Sequence, residues 1–533
     1  MRAAPALVLA ALLLSGCAAG SSQPENPPVS PEPSPSFSAE KVVLDADGRK
    51  MPWPKYAWQI GDSPDRLTAE KSAARPNGVV DPPAGQGYER YYSQQLDWQP
   101  CGDYVCTKFL APLDWENPDG LAVTIAMRKS SASDAKGVLF VNPGGPGGSA
   151  QAYVEKFDDL DYDVIGIDPR GSGESTPVDC GSTEALDSYF SVDVSPDDQD
   201  EIDQLVEAEK RFSCDCRQNT GELLDHISTI DTAYDYDLAR KLLGVEKINF
   251  FGVSYGTLLG ATYAELFPEH LGRMVLDSAV NFGPEEHIPQ AQGFERNLRE
   301  FAKWCAKRGS CSLGDDESTV TTKIIDFVES LDASPLTSAS GRVLSQTQAV
   351  SGLLLFFYGE DDFYKPAAKA FEAALDGNPD LLLAASDAMI GRKDGRYSSL
   401  IAAATSIGCI DTPDEGLEAA MASWRAQTEQ APLLGHLLGP ETVCPLWGSE
   451  PRPKIAFEGE TSEPILILGN TNDSATPYEQ SVLASQVFSK SRLVTRQAAG
   501  HGVYGKGSCA DEIVRQYFAD GQVPEANLTC PVK

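Results

Sequence analysis

The pentapeptide Gly252-Val253-Ser254-Tyr255-Gly256 constrains this chain more than any other stretch, because of what stands on either side of it. Before it runs Lys247-Ile248-Asn249-Phe250-Phe251, short, apolar and β-prone. After it, residues 257–267 (TLLGATYAELF) read as a helix closed by Pro268. Strand, G-x-S-x-G, helix is the setting in which a serine sits on a very tight turn. The two glycines remove side chains that would strike the neighbouring strand and helix. The serine oxygen then stands at the head of a helix, whose free amides favour a developing negative charge. Without that setting the pattern is common and means little.

A serine hydroxyl is a weak nucleophile; it needs a base, and the base needs an orienting acid. In the α/β-hydrolase arrangement built on such an elbow, the chain order is Ser, acid, His. The chain holds five histidines. His226 precedes the serine and His270 follows Pro268, so both read as structural. His287 and His436 follow no strand-end acid. His501 lies in Ala499-Gly500-His501-Gly502, after the β-like run 492–495 and before a helix from Ala510, and is the candidate base. The clearest buried strand of the C-terminal third, Pro464-Ile465-Leu466-Ile467-Leu468-Gly469, leads into Asn470-Thr471-Asn472-Asp473. Asp473 is therefore the candidate acid, with Asp277 and Asp411 as weaker rivals.

Tyr255, following the nucleophile, offers one oxyanion amide. The second is expected after the strand Gly137-Val138-Leu139-Phe140-Val141, in Asn142-Pro143-Gly144-Gly145-Pro146-Gly147-Gly148-Ser149. Such glycine density lets backbone approach a ligand oxygen. Gly145 is preferred over Gly144. The loop lacks the Lys-Ser/Thr of a Walker motif and the spacing of G-x-G-x-x-G, so nucleotide binding is not expected.

Together with the run 162–173 (YDVIGIDPRGSG) and Gly272-Arg273-Met274-Val275-Leu276-Asp277, these motifs resemble the tripeptidyl aminopeptidase-like branch of the prolyl-iminopeptidase family. These are serine peptidases common as secreted actinobacterial enzymes. The resemblance spans roughly Tyr91 to Cys530. It implies release of short peptides from free N-termini and the same roles for Ser254, Asp473 and His501. Smaller iminopeptidases begin the oxyanion loop with His-Gly where this chain has Asn142-Pro143, a difference of subfamily rather than chemistry. Related sequences include esterases and envelope endopeptidases, so the substrate does not follow from the resemblance.

At 533 residues the chain has room for one large domain with an inserted lid. Its 78 acidic against 43 basic side chains, a net charge of −35, argue against nucleic-acid binding. Arg2, the apolar run from Ala3 to Leu14, and Leu14-Ser15-Gly16-Cys17 resemble a lipoprotein signal peptide (residues 1–17), with Cys17 as the lipidated residue. The apolar run is too short to span a membrane. Residues 18–54, rich in Pro, Ser and Glu in their first half, read as a disordered tether. The expected location is the extracytoplasmic face of a bacterial cell membrane, held by the lipid anchor.

Eleven cysteines remain after Cys17. Their spacing suggests Cys101/Cys106 and Cys305/Cys311 as local loops, and Cys409/Cys444 and Cys509/Cys530 as larger ones. Cys180 would pair with Cys214 or Cys216, leaving one thiol over, a pattern that fits an oxidising compartment. Cys214-Asp215-Cys216 lacks the companions of a zinc site. No metal or cofactor is expected.

Strands are expected at 121–127, 138–141, 164–167, 248–251, 274–276, 465–468 and 493–495, with helices between several of them, including 232–243. This alternation predicts an α/β fold with a mostly parallel sheet. Core segments at 90–283 and 450–533 would flank a mainly helical lid at 284–449. Within the lid, Trp304, Phe356, Phe357, Tyr358, Phe363 and Tyr364 read as lid core, while Glu285, Glu286, Glu360, Asp361 and Asp362 are candidates for holding a substrate ammonium. Each of these acids reads first as a surface charge. The expected partner is a peptide substrate, or an ester if the chain is a carboxylesterase or lipase with the same machinery. A binding protein with a relict site fits poorly, since no member of the constellation is missing.

Overall fold

The computed structural model describes residues 75–283, 288–412, 415–449, 455–461 and 463–531, without the side chain of Asp361. The expectations placed on the leader and tether, Cys17, Glu285, Glu286, His287 and the side chain of Asp361 lie outside these residues.

The N-terminal strands are β1 (Val79–Val80), β2 (Gln99–Cys101), β3 (Tyr104–Pro112) and β4 (Ala122–Lys129). The central ones are β5 (Val138–Asn142), β6 (Asp163–Ile167), β7 (Ile248–Val253) and β8 (Leu271–Asp277). Two lid hairpins follow, β9 (Leu336–Thr337) with β10 (Val343–Leu344) and β11 (Arg392–Lys393) with β12 (Arg396–Tyr397). The last strands are β13 (Ile465–Asn472), β14 (Arg492–Ala499) and β15 (Leu528–Cys530). All but the hairpins form one sheet in the order β15-β14-β13-β8-β7-β5-β6-β4-β3-β2, with β1 pairing to β4. From β15 to β6 every pairing is parallel, and from β6 to β2 every pairing is antiparallel. This is the expected mostly parallel α/β sheet.

The continuous apolar runs of the central strands follow from burial on both faces. Alternate residues point to opposite sides. Phe140, Phe250, Met274, Ile465 and Ile467 join one apolar layer, and Leu139, Val141, Phe251, Val275, Leu466 and Leu468 join the other. The helices are α1 (Glu89–Tyr92), α2 (Thr183–Tyr189), α3 (Gln199–Thr220), α4 (Thr229–Leu242) and α5 (Tyr255–Leu266), then α6 (Gln290–Ala306), α7 (Glu317–Ala333), α8 (Gln346–Tyr358) and α9 (Asp361–Leu375). After them come α10 (Asp380–Met389), α11 (Leu400–Asp411), α12 (Leu417–Gln430), α13 (Tyr478–Val487) and α14 (Ser508–Asp520). Residues of α4, α5 and α13 pack on the first layer; those of α14 pack on the second. Helix α4 begins three residues before its apolar periodicity does, because Ser228 and Asp231 cap each other's backbone amides.

Helices α6 to α12 come between β8 and β13, and several of them share a separate apolar core containing Leu298, Phe301, Leu353, Phe356, Phe357, Tyr364 and Phe371. Trp304 and Tyr358 pack against it, whereas Phe363 is 39% exposed.

The five described bridges are Cys101–Cys106, Cys180–Cys216, Cys305–Cys311, Cys409–Cys444 and Cys509–Cys530. Positions two apart on a helix face different ways, so of the two cysteines on α3 only Cys216 meets Cys180. Cys214 is engaged elsewhere, and no described cysteine is free, which corrects the expectation of a leftover thiol.

Candidate active site

Ser254 sits between β7 and α5 with φ 57° and ψ −128°, a conformation that L-residues rarely adopt. Its neighbours explain how the chain tolerates this. A Cβ on Gly252 would lie 2.2 Å from the Gly256 carbonyl oxygen, and one on Gly256 would lie 2.7 Å from the Asn142 carbonyl oxygen. Strand and helix therefore approach closely enough to enforce the turn. The Ser254 carbonyl accepts from the Thr257 amide at 2.8 Å and the Thr257 hydroxyl at 2.6 Å. The Ser254 amide donates to the Asp277 carbonyl at 3.0 Å, tying the elbow to the next strand.

The glycine loop after β5 lies directly against this turn. A Cβ on Gly144 would lie 2.4 Å from the Val253 carbonyl oxygen, 3.0 Å from Ser254 Cβ and 3.1 Å from the Tyr255 nitrogen. The Gly144 amide is committed to Asn142 Oδ1 at 2.9 Å, which leaves Gly145 as the loop's candidate donor beside Tyr255. The loop's far end is held by Asp168, which accepts from Ser149 Oγ at 2.8 Å, Gln151 Nε2 at 2.7 Å and the Gln151 amide at 3.2 Å. Arg170 of the same motif is fully buried on Asp235 and on the carbonyls of Pro112, Leu113 and His226. Within the D-x-R-G signature, Asp168 thus braces the loop, while Arg170 joins the end of β3 to α4.

His501 and Asp473 meet across the ends of β14 and β13, with Nδ1 and Oδ1 2.8 Å apart. Asp473 is 1% exposed, and Oδ1 also accepts from the amides of Ala475 at 3.1 Å and Thr476 at 3.0 Å. Burial alone would raise its carboxyl. The charge and hydrogen bond of His501, with the Ser278 hydroxyl and the Thr476 amide, outweigh burial and hold it below the usual carboxylate range. The other imidazole nitrogen, Nε2, is buried and has no hydrogen-bond partner among the described residues, Ser254 included.

The backbone around His501 can be accounted for group by group. The Gly500 amide donates to the Asn472 carbonyl at 3.2 Å, and the His501 amide to the Tyr358 carbonyl at 2.9 Å. Asn470 Nδ2 donates to both flanking carbonyls, Gly500 and Gly502, at 2.8 Å each. Lys506 Nζ donates to the His501 carbonyl at 2.7 Å, and the Gly502 amide to Ser278 Oγ at 2.9 Å. Gly500 and Gly502 have φ of 86° and 82°, which lets the chain turn sharply on both sides of the histidine.

The rival acids have other partners. Asp277 accepts from the amides of Val503 and Tyr504, each at 2.9 Å, so it holds the loop rather than the ring. Burial pushes its carboxyl up against the opposing pull of those amides. Asp411, at the end of α11, accepts from the Thr229 amide at 3.0 Å and from the Thr229 hydroxyl, whose oxygen lies 2.5 Å from the Tyr255 phenol. Burial raises Asp411 to about 6 despite those bonds. His270 pairs with Asp237 at 2.7 Å and His436 with Glu329 at 3.2 Å, as structural histidines do.

The lid touches each part of this site. A Cβ on Gly293 of α6 would lie 2.2 Å from the Ser474 carbonyl oxygen, and Asn297 donates to the Asn472 carbonyl at 3.0 Å. Helix α11 abuts the glycine loop, with a Cβ on Gly147 only 2.5 Å from the Leu400 carbonyl oxygen. The Tyr358 ring meets His501 edge-on at 5.4 Å. Glu360, a candidate for holding a substrate ammonium, is committed to Arg496 through two 2.8 Å contacts and to Lys506 at 3.5 Å, which corrects that reading. Asp362 is exposed. No local signal in the sequence marked Asn470, Ser278, Arg496 or Tyr358 as partners of the histidine loop.

A family model described as the alpha/beta hydrolase fold matches residues 137–508. Serine protease Hip1 of Mycobacterium tuberculosis is 31% identical over 82% of this chain and 91% of its own length. Tripeptidyl aminopeptidase of Streptomyces lividans is 28% identical over 82% of this chain and 86% of its own length. Carboxylesterase B of Mycobacterium tuberculosis is 31% identical over 82% and 90%.

Proposed function

Because this chain belongs to the alpha/beta hydrolase fold family and is a serine hydrolase, we propose that it is a cell-envelope peptidase releasing short peptides from free N-termini. Ser254 Oγ attacks the scissile carbonyl while His501 Nε2 takes its proton. Asp473 orients the ring and stabilises the imidazolium. The amides of Tyr255 and Gly145 receive the oxyanion. His501 then protonates the leaving amine, and water, deprotonated by the same nitrogen, hydrolyses the acyl-enzyme. The observation that carries this reading is the asymmetry of His501: Nδ1 is held by a buried carboxylate, while Nε2 is buried with no partner among the described residues.

Preference for a free N-terminus rests on the relative named a tripeptidyl aminopeptidase and on the family resemblance. The test pairs Ser254→Ala with a substrate panel of free and acetylated tripeptides and aryl esters. Ser254→Ala loses on the order of 10^4-fold or more in rate while folding normally. The wild type favours free over acetylated peptides by roughly 10^2 or more. Equal rates on the two peptides would end the exopeptidase reading. A relative named a carboxylesterase at the same 31% identity supports the second reading, an esterase, and a strong preference for aryl esters would select it.

Export and anchoring through Cys17 are supported by the lipobox-like leader and by the five disulfides among the described residues, since such bridges persist in oxidising compartments. Intact-mass analysis of membrane-extracted protein should find a lipid-modified N-terminal Cys17. An unmodified Cys17 would remove the anchor.

A further inference from the structure

Asn470 has no exposed surface and carries an amide that can sit either way round. In one orientation its NH2 group bridges the carbonyls of Gly500 and Gly502 and so brackets His501 from beneath. In the other, its oxygen would face those two carbonyls and push them away. What selects the first is Arg496 on β14, whose guanidinium donates to Asn470 Oδ1 at 3.3 Å. Arg496 is itself buried, its side chain 8% exposed, and also donates to the Lys506 carbonyl at 3.0 Å. A buried guanidinium needs a counter-charge. Among the described residues it comes from the lid: Glu360, directly before α9, grips it at both oxygens. Glu360 also faces Lys506, whose ammonium holds the His501 carbonyl.

We propose that Glu360, Arg496 and Asn470 form a relay through which the lid sets the position of the catalytic base. Glu360 is a positioning residue: it touches no substrate, fixes Arg496, and through Arg496 fixes the orientation of the Asn470 amide. The backbone link from the His501 amide to the Tyr358 carbonyl, two residues before Glu360, ties the same stretch of lid to the same loop. The reactivity of Ser254 therefore depends on the seat of the lid, even toward substrates too small to contact it. The inference rests on His501 being the base.

The test uses the full chain and two probes that ask little of the lid: a short aryl acetate and a small fluorophosphonate that labels the nucleophile. Glu360→Gln lowers kcat and the labelling rate together by about 10- to 100-fold, the scale of a catalytic group misplaced by about an ångström. KM for the ester changes by less than about threefold. Arg496→Lys keeps the charge but loses the two-pronged grip and gives the same pattern, so the result does not hang on one variant folding. Asn470→Ala slows both readouts as well. The double variant Glu360→Gln/Asn470→Ala is no slower than Asn470→Ala alone, since links in series do not add. Wild-type kcat and labelling in folded Glu360→Gln, a change confined to KM, or losses that multiply in the double variant would each overturn the relay. Undiminished labelling in His501→Ala would instead overturn the assignment of the base, and the relay with it.

Discussion

Ser254 and His501 are supported in opposite ways. The serine is held chiefly by its own stretch of chain: Gly252 and Gly256 bring strand and helix together and Thr257 secures the turn, with one backbone tie to Asp277 on the next strand. The histidine loop has few sequence-local supports. Its contacts come from Tyr358, Asn470, Asn472, Ser278 and Asp277, supplied by α8 and the ends of β13 and β8. One half of the site is built by local geometry and the other by assembly of distant segments. Damage should therefore propagate differently: on the serine side into the fold, on the histidine side into turnover first.

The sharpest way to break this contrast is Gly252→Ala. The added carbon would lie 2.2 Å from a backbone oxygen that cannot move without shifting α5. We expect a stability loss of at least about 3 kcal/mol, at the upper end for overpacking, read by denaturant unfolding, with labelling of Ser254 lost alongside. A variant that keeps wild-type stability would show that the elbow is looser than its contacts imply.

Asp277→Asn attacks the other side. Its carboxylate serves two amides of the histidine loop, and an amide side chain offers one acceptor where there were two. The expected cost is roughly 2 kcal/mol, as for charge-assisted hydrogen bonds, with kcat reduced about tenfold or more and KM little changed. A fall in stability with kcat intact would show that the loop can find His501's position without this anchor.

The smallest effect concerns Asp411, which links the lid to the serine side through Thr229 and Tyr255. Its carboxyl stands at about 6 in the folded chain against a usual 3.8. The native state thus binds this proton more tightly than the unfolded chain does. The stabilisation is fully present below about pH 4 and is lost as pH rises through about 6. Relative to Asp411→Asn, the wild type should lose about 1 kcal/mol of stability between pH 5 and pH 8. A difference between the two that stays constant with pH would contradict the buried, protonatable state.

The same contrast explains what the sequence disclosed. Residues 247–268 place strand, serine and helix within about twenty positions, so the elbow is legible without knowing any other part of the chain. The fold was legible for a related reason: central strands buried on both faces write unbroken apolar runs such as Ile465–Leu468, and alternation with helices implies parallel pairing. Asp473 and His501 could be picked out because each closes a strand, and the structure sets them 2.8 Å apart. Glu360 could not be read correctly. A lid acid looks the same in sequence whether it awaits an ammonium group or already faces an arginine 136 positions away. Cys180 had two candidate partners until helix α3 fixed which cysteine faced it.

The seating of the lid on every part of the site has a bearing on exchange between relatives. A lid that only lined a cleft could be transplanted as a cassette, carrying specificity with it and leaving turnover behind. Here Gly293 meets Ser474, Leu400 meets Gly147, Asp411 meets Thr229, and Glu360 meets Arg496. A chimera that takes the insertion from one member of the family and the sheet from another must carry both halves of each pair, or it will inherit a lid that no longer seats on the histidine loop.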